Sequence, residues 1–413
     1  QLCRRAKASI RARIAAETWT WVGGSAYGYS DGAFVMGGGS PDWRIGYNWR
    51  GSKGSRGSEY PDMSRRPDDG DVVRYSASGA HFGAPKSGGY GGIEMTGWVS
   101  GLYGPPMPVR DGGYVSLSTL SHNLSNISLT SDGSFELRIP GADEDDMHVR
   151  ANIVAAAEVR KTGGGGHWQL EDGTTGDLGT YRLQEGSVRL LANGTFANPL
   201  SHVRTAFVFD GPSVYLDMDR HDGTLNCPLR ETVGASGHFI TASGGAATLT
   251  LRGEQPNATF RGTFRGHVSL CWNPTTADDE NGALTLLGGP SETDGSLTVA
   301  NGSLCFRENG AGRGSWPKAS QAVAKGTGML VFGHGRSIGE VTDVAIAEGG
   351  RIRIDEGVVQ SCRTLTIDGV RKPKGTWGSP RSAARHKSEA FAGTGLLQVG
   401  EAKGLALIIG CCN

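Results

Sequence analysis

The sequence predicts an all-β chain that winds into a parallel β-solenoid with a Trp- and Gly-rich N-terminal cap. Short segments alternate apolar and polar residues, which is the period of a strand with one buried face. Glycine supplies 67 of the 413 residues and closes many of these segments. The segments also recur at a period near 20 residues, which is the spacing of stacked coils. Tandem β-sandwiches are the alternative arrangement for the same strands.

The composition excludes several classes of protein. Hydrophobic residues make up 37% and charged residues 20%, a balance too apolar for a disordered chain and too polar for a membrane protein. The 41 basic and 41 acidic residues cancel, and no basic stripe stands out, so we expect no nucleic-acid partner. Because no run of 18 apolar residues occurs, we expect no transmembrane segment.

The N-terminal part has two predicted regions. Residues 1–16 carry basic residues and an Ala-Ala pair but no apolar core, so they resemble a leader or processing remnant. Residues 17–112 form a Trp- and Gly-rich region with a Pro-Asp-Asp-Gly turn before the segment VVRY. An open solenoid end exposes unpaired strand edges, so we interpret residues 17–112 as a cap.

Residues 113–400 are predicted to form the repeat solenoid, with a terminal unit at 363–400 and a short apolar tail at 401–413. The clearest helix signal, ANIVAAAEVRK at 151–161, has Val and Ile that also suit a strand. A second short helix is indicated near RSAARHKSEAF. The seven cysteines show no metal-binding spacing, which favours free thiols and leaves one or two disulfides as the alternative.

The four glycines in KTGGGGHWQLEDG, residues 161–173, are predicted to form a coil corner. A phosphate loop requires a helix after the glycines and a Lys-Ser/Thr pair, whereas an alternating strand follows here. The same Gly-then-strand pattern recurs elsewhere. Paired strands open with glycines 20 residues apart, or 21 to 22 in the third copy: Gly166 and Gly186, Gly282 and Gly302, and Gly328 and Gly349 or Gly350.

These motifs resemble the autotransporter-associated β-strand repeat proteins. The resemblance includes the repeat units and a terminal unit that reads TLTIDG, then GTWGS, then FAGTGLLQV. It also includes the opening TWTWVGGS. The resemblance implies a right-handed parallel β-solenoid, or β-helix, that is secreted or attached to the surface of a Gram-negative-type bacterium. It transfers no catalytic residue, and the chain lacks the alternating strands of a membrane barrel that a full autotransporter carries.

One group of carboxylates is a candidate for chemistry. The segment YLDMDRHDG places Asp217, Asp219 and Asp222 close together, and carboxylates on a turn are ligands that Ca²⁺ prefers. Asp222 comes one residue too late for the EF-hand pattern, so outward aspartates on a strand that ends at a turn are the simpler interpretation. Asp217 and Asp219 would share one face, which also allows glycoside or lyase chemistry. No other cofactor is expected, and no catalytic residue is assigned.

Aromatic residues of the N-terminal region form the second candidate. Trp43, Tyr47 and Trp49 could stack on sugar rings, although packing within the cap explains them as well. The ten histidines are scattered and lack ligand spacing, so we expect them on surfaces or in turns.

We therefore expect a secreted or cell-surface protein that acts without catalysis, as a structural surface element or an adhesin for glycans or other surface polymers. The first alternative is a polysaccharide-active enzyme, a lyase or glycosidase on a β-helix. A self-assembling filament or layer subunit is the second alternative. A groove that gathers carboxylates and cations would favour the enzyme, and the sequence alone locates none.

Overall fold

The fold is taken from a computed structural model of the chain. It describes residues 18–21, 25–30, 33–38, 49–51, 69–75, 88–95, 107–117, 127–139, 148–149, 151–164, 167–171, 177–191, 200, 203–232, 235–278, 281–309 and 312–400. The chain divides into two compact units, Gln1–Tyr215 and Leu216–Asn413.

The described residues contain no α-helix, and most of their strands pair in parallel. They form a β-solenoid of about ten turns, which confirms the predicted fold class. The sandwich alternative is wrong, because it would require antiparallel sheets. No helix of the described part has the length and apolar character needed to cross a membrane.

The first unit is built from short strands, apart from two of more than ten residues. They are β1 (Thr18–Trp21), β2 (Ser25–Ser30), β3 (Ala33–Gly38), β4 (Trp49–Gly51), β5 (Val72–Tyr75), β6 (Tyr90–Met95), β7 (Met107–Leu117), β8 (Ile127–Thr130), β9 (Ser134–Arg138), β10 (His148–Val149), β11 (Ala151–Thr162), β12 (His167–Glu171), β13 (Asp177–Leu183), β14 (Ser187–Leu191) and β15 (Val203–Phe209). A further strand, β16 (Tyr215–Asp217), spans the division between the units.

The long sheet of the first unit runs in the order β4-β1-β5-β6-β7, then β8 and β9, then β11-β13-β15. All of these pairs are parallel except β1 with β4. A second sheet has the order β10-β12-β14, and β2 and β3 form an antiparallel hairpin. Parallel pairing therefore begins at β1, and the predicted boundary between residues 112 and 113 falls inside β7.

The second unit continues with short strands. They are β17 (Gly223–Leu225), β18 (Leu229–Glu231), β19 (Phe239–Thr241), β20 (Ala247–Gly253), β21 (Ala258–Phe260), β22 (Thr263–Gly266), β23 (Val268–Pro274), β24 (Ala283–Leu286), β25 (Glu292–Thr293), β26 (Leu297–Val299), β27 (Ser303–Phe306), β28 (Glu308–Asn309), β29 (Gly312–Arg313), β30 (Gln321–Lys325), β31 (Met329–Phe332), β32 (Asp343–Ala347), β33 (Arg351–Ile354), β34 (Val359–Cys362), β35 (Thr364–Ile367), β36 (Val370–Arg371), β37 (Gly375–Gly378), β38 (His386–Lys387), β39 (Phe391–Gly393) and β40 (Leu396–Val399).

Three parallel sheets carry the coils of the second unit. Their orders are β17-β20-β23-β26-β30-β32-β35, β21-β24-β27-β31-β33-β39 and β19-β22-β25. Strands β28 and β29 form a small antiparallel hairpin. The four described cysteines, Cys227, Cys271, Cys305 and Cys362, are free thiols, as the spacing predicts.

Inward side chains stack in columns from coil to coil. In the sheet that contains β24, Leu284, Leu304, Leu330 and Ile352 are successive partners, and each is at most 2% exposed. In the first unit Tyr181 and Phe207 are partners with stacked rings 5.2 Å apart. Because neighbouring coils place their apolar residues in register, each coil buries the inward face of the next.

A lysine stands within one of these apolar columns. Lys161 of β11 pairs with Leu137 on one side and Leu183 on the other, and it is fully buried. Its Nζ donates hydrogen bonds of 2.9 Å to the carbonyl of Gly163 and 3.0 Å to that of Glu185. Burial lowers the pKa of Lys161 to about 8. The lysine of the predicted repeat therefore supports the corner carbonyls of two adjacent coils.

The glycine pattern predicts the corners correctly. The halves of each repeat pair as neighbouring coils: His167 with Ser187, Ala283 with Ser303 and Met329 with Arg351. Gly302 has a φ of 68°, and a Cβ there would lie 2.1 Å from the carbonyl oxygen of Gly282. Gly166 lies outside the described residues.

The period itself is less regular than predicted. Partners in adjacent coils are 20 residues apart at Leu284 and Leu304 but 27 apart at Leu270 and Leu297. The strands stay in register because the extra residues lie in the turns between them.

Both helix signals are wrong. Residues 151–161 lie in β11, where the β-branched residues suit the pleat of a sheet. The segment 381–391 forms turns and the short strand β38.

The terminal unit changes from parallel to antiparallel pairing. Asp368 and Gly369 have φ values of 48° and 78°, and they turn the chain from β35 into β36. Strand β36 thus pairs with the last parallel strand of its sheet, which covers that edge. Strand β40 pairs with β34 in parallel and with β37 antiparallel, and β38 completes this sheet.

Candidate functional site

The outward face of the long sheet in the first unit carries a band of alternating charge that we call the charged ladder. Its side chains belong to β5, β6, β7, β9, β11 and β13, and to the turn after β15. The ladder consists of Arg74, Glu94, Tyr114, Glu136, Arg138, Glu158, Arg160, Arg182 and Asp210. Alternation along each strand points these residues outward while their neighbours fill the core.

Tyr114 is the centre of the first half of the ladder. Its hydroxyl donates a 2.8 Å hydrogen bond to Glu94, which also pairs with Arg74 at 2.6 Å. The guanidinium of Arg138 lies 4.1 Å from the centre of the Tyr114 ring. The ring also lies over Gly92, where an added Cβ would be 2.5 Å from ring atoms, so a side chain at that position would displace it.

Glu136 connects this half of the ladder to the next coil. It pairs with Arg138 at 2.7 Å and accepts a 2.6 Å hydrogen bond from Thr162. The hydrogen bond from Arg138 lowers the pKa of Glu136, so its carboxylate stays ionised at neutral pH. Burial and the hydrogen bond to Glu94 raise the pKa of Tyr114 to about 12, so its hydroxyl stays protonated.

The second half repeats this arrangement. Glu158 lies 3.6 Å from Arg160 and 3.2 Å from Arg182, which in turn lies 3.5 Å from Asp210. Gln184 donates a 2.8 Å hydrogen bond to Asp210. Each carboxylate of the ladder therefore contacts at least one guanidinium, and the four arginines balance the four acids.

This geometry suits binding better than proton transfer. A general acid requires a raised carboxyl pKa, whereas that of Glu136 is lowered. A protonated Tyr114 can donate a hydrogen bond but cannot act as a base at neutral pH. Guanidinium and carboxylate groups repeated at strand spacing can instead form hydrogen bonds with many groups of an extended ligand.

The three candidate aspartates lie in the second unit, where each stabilises a turn. Asp217 is only 1% exposed and accepts hydrogen bonds of 2.8 Å from the amide of Asp219, 3.1 Å from the amide of Ser243 and 2.6 Å from its hydroxyl. Asp219 has a φ of 48° and lies 3.5 Å from both Arg220 and His221.

Asp222 accepts a 2.6 Å hydrogen bond from the amide of Thr248. The expectation that Asp217 and Asp219 share one face of a strand is wrong, because β16 ends at Asp217 and Asp219 lies in the following turn. Within the described residues, no three His, Cys, Asp or Glu side chains come together as a metal site would require.

The aromatic candidates are placed only in part. Trp43 and Tyr47 lie outside the described residues. Trp49 is the first residue of β4, in antiparallel register with Trp21 of β1. Stacking of these rings on sugars therefore stays a prediction.

One histidine differs from the expectation of a surface position. His238 is fully buried, with its Nε2 2.7 Å from an oxygen of Glu231. The two oxygens of Glu231 also accept hydrogen bonds of 2.8 and 2.9 Å from the amide of Arg261. This pair lies in the core of the second unit, away from solvent.

Comparison of the chain with models of protein families, with curated proteins and with solved structures found no match in any of the three. The resemblance to the autotransporter-associated repeat proteins therefore stays a prediction. The β-solenoid and its surface groups are the basis for any statement about function.

Proposed function

We propose that this chain is a secreted or cell-surface β-solenoid that acts without catalysis, as an adhesin or structural element of the outer surface of a Gram-negative-type bacterium. Its partners would be glycans or other surface polymers. The observation that supports binding is the charged ladder, in which guanidinium, carboxylate and phenol groups recur from coil to coil. Such a repeating array suits a repeating ligand, because each coil adds a similar weak contact.

Sugar polymers provide the matching chemistry. Their hydroxyls donate and accept hydrogen bonds, and charged partners make the stronger hydrogen bonds of this kind. The ladder's charges cancel, so it would attract a neutral polymer through directed hydrogen bonds rather than through a net field.

The test is co-sedimentation of the purified chain with insoluble polysaccharides and mucins, combined with an assay for released reducing or unsaturated sugar ends. The ladder variant carries Arg74→Gln and Arg138→Gln. A matched control carries Arg230→Gln and Arg336→Gln, two exposed arginines of the second unit. We expect retention without release, weakened about tenfold in the ladder variant and unchanged in the control.

A polysaccharide-active enzyme is the second candidate, because the ladder gathers the carboxylates and cations that such an enzyme needs. Release of sugar ends that Glu136→Gln abolishes would establish this alternative and overturn the adhesin. A chain that pellets without any polymer would instead support the self-assembling layer subunit.

A further inference from the structure

The terminal unit carries a concentration of positive charge that the neutral composition of the chain hides. Between Gly369 and Ser388 the sequence contains six Lys or Arg residues and no acidic residue. The expectation that the chain has no basic stripe is wrong for this segment, because the totals average over the whole chain. We call these residues the terminal basic surface: Arg371, Lys372, Lys374, Arg381, Arg385 and Lys387.

These cations are available for a partner. Five of the six are exposed, and Lys372 is half-buried. None of them forms an ion pair with a carboxylate of the part of the chain that the structure describes. The charged ladder differs in this respect, because its arginines and acids neutralise one another. The terminal basic surface therefore retains a net positive field.

The fold places part of this charge beside a row of hydrogen-bonding side chains. Strands β34, β40, β37 and β38 form one sheet, with Ser361 opposite Gln398 and Gln398 opposite Thr376. The amide of Arg385 donates a 2.9 Å hydrogen bond to the hydroxyl of Thr376, which places Arg385 at the end of this row. Lys387 is two residues further along β38 and so lies on the same face.

The opposite face of this sheet is packed inward, which makes the scaffold rigid. Gln360 and Leu397 are fully buried, and Trp377 is 8% exposed. The Trp377 ring stacks on His386 with 4.8 Å between centroids, and its Nε1 donates a 3.0 Å hydrogen bond to Pro373. Only the outward face, with its hydroxyl, amide and cationic groups, is left to meet a ligand.

We propose that the terminal basic surface binds an acidic polysaccharide, with carboxylate or sulfate groups on the cations and sugar hydroxyls along the row of Ser361, Gln398 and Thr376. This inference rests on the proposed adhesin function and assigns it a ligand class and a second surface. A nucleic acid fits less well, because Trp377, the aromatic ring of this sheet, is buried and cannot stack on bases. A membrane surface fits less well, because no continuous apolar band accompanies the cations.

The experiment measures retention of the full chain on immobilised polygalacturonate. Matched matrices carry cellulose, duplex DNA, or vesicles containing anionic phospholipid. The test variant carries Arg381→Gln, Arg385→Gln and Lys387→Gln, and the control of equal charge change carries Arg230→Gln, Lys318→Gln and Arg336→Gln. All six replaced side chains are exposed and outside the core, so both variants should fold.

We expect the wild-type chain and the control to bind polygalacturonate, and the test variant to bind about tenfold or more weakly. Binding should disappear in about 1 M NaCl, where the screening length falls to about 3 Å. Equal binding by the test variant would overturn the proposal, as would stronger retention on DNA or on vesicles. Retention on cellulose alone would overturn this proposal and leave the adhesin function intact, whereas retention on no polysaccharide would overturn both.

Discussion

The hydroxyl of Tyr114 donates a 2.8 Å hydrogen bond to the carboxylate of Glu94 on the preceding coil, a residue 20 positions earlier in the sequence. This contact shows how neighbouring coils combine residues that are distant in sequence. Because the pKa of Tyr114 is raised from 10.0 to about 12, its protonated form is favoured by folding. The stabilisation is complete below pH 10 and is lost as the pH rises from about 10 to about 12.

We expect Tyr114→Phe to lower the free energy of unfolding by about 0.5–1.5 kcal/mol at pH 7, which is the usual contribution of one hydrogen bond. Urea denaturation followed by tyrosine and tryptophan fluorescence would measure the change. The variant should lose less stability than the wild-type chain above pH 10. Identical alkaline profiles for the two proteins would show that the Glu94 contact does not hold the phenol proton.

Lys161 should make the stability of the first unit rise with pH. Its pKa is lowered to about 8 in the folded chain from 10.5, so between these values the unfolded chain binds the extra proton. The free energy of unfolding therefore increases as the pH rises from 8, by on the order of 1–2 kcal/mol by pH 9.5. In Lys161→Met the increase should be absent, and urea midpoints from pH 8 to 9.5 would compare the two proteins.

The same substitution should destabilise the chain at pH 7 by about 1–3 kcal/mol, because the carbonyls of Gly163 and Glu185 lose their donor. A Lys161→Met variant more stable than wild type at pH 7 would instead mean that burying the ammonium costs more than its two hydrogen bonds contribute.

Asp217 is expected to act as a turn anchor and not as a calcium ligand. Asp217→Ala should cost roughly 2–4 kcal/mol, because the amides of Asp219 and Ser243 would lose a buried acceptor. Glu340→Gln, at an exposed position, should be nearly neutral. We also expect the same Tm in EDTA and in excess Ca²⁺, since the Asp217 oxygens already accept hydrogen bonds. A Tm raised by Ca²⁺ and insensitive to Mg²⁺ would revive the calcium hypothesis.

The glycine corners provide a test of the coil geometry. Gly302→Ala should destabilise the second unit by about 1–3 kcal/mol, because the residue has a φ of 68° and no space for a Cβ. Gly289→Ala is the matched control, since its Cβ would meet only the Thr263 side chain at 3.9 Å. Thermal unfolding of both variants would measure the difference, and similar Tm values would contradict the strained corner.

The fold was predictable because its signals are local. Alternation in segments such as ALTL and RIRI marks the strands, and glycines such as Gly302 mark the corners. The charged ladder was not predictable, because it depends on which residues of successive coils align. With coils of 20 to 27 residues, a change of one residue in any turn would pair Glu94 with a different neighbour.

The candidate aspartates show the opposite problem. Their spacing in YLDMDRHDG suggests chemistry, yet the strand ends at Asp217 and the oxygens of that residue satisfy backbone amides. Sequence spacing reveals which groups are near one another but not which hydrogen bonds they already make. The terminal basic surface, in contrast, can be read from the sequence once charge is counted by segment.

Pairing between consecutive coils has a mechanical consequence. If the second unit is pulled from its ends, the load falls first on the outermost coil, because each coil contacts only its neighbours. Each rupture would release one coil of 20 to 27 residues, as the spacing of partner leucines indicates. A released coil would lengthen the chain by roughly 65–95 Å at about 3.3–3.6 Å per residue. A tether built this way would yield in steps under load and dissipate work, instead of breaking its attachment at once.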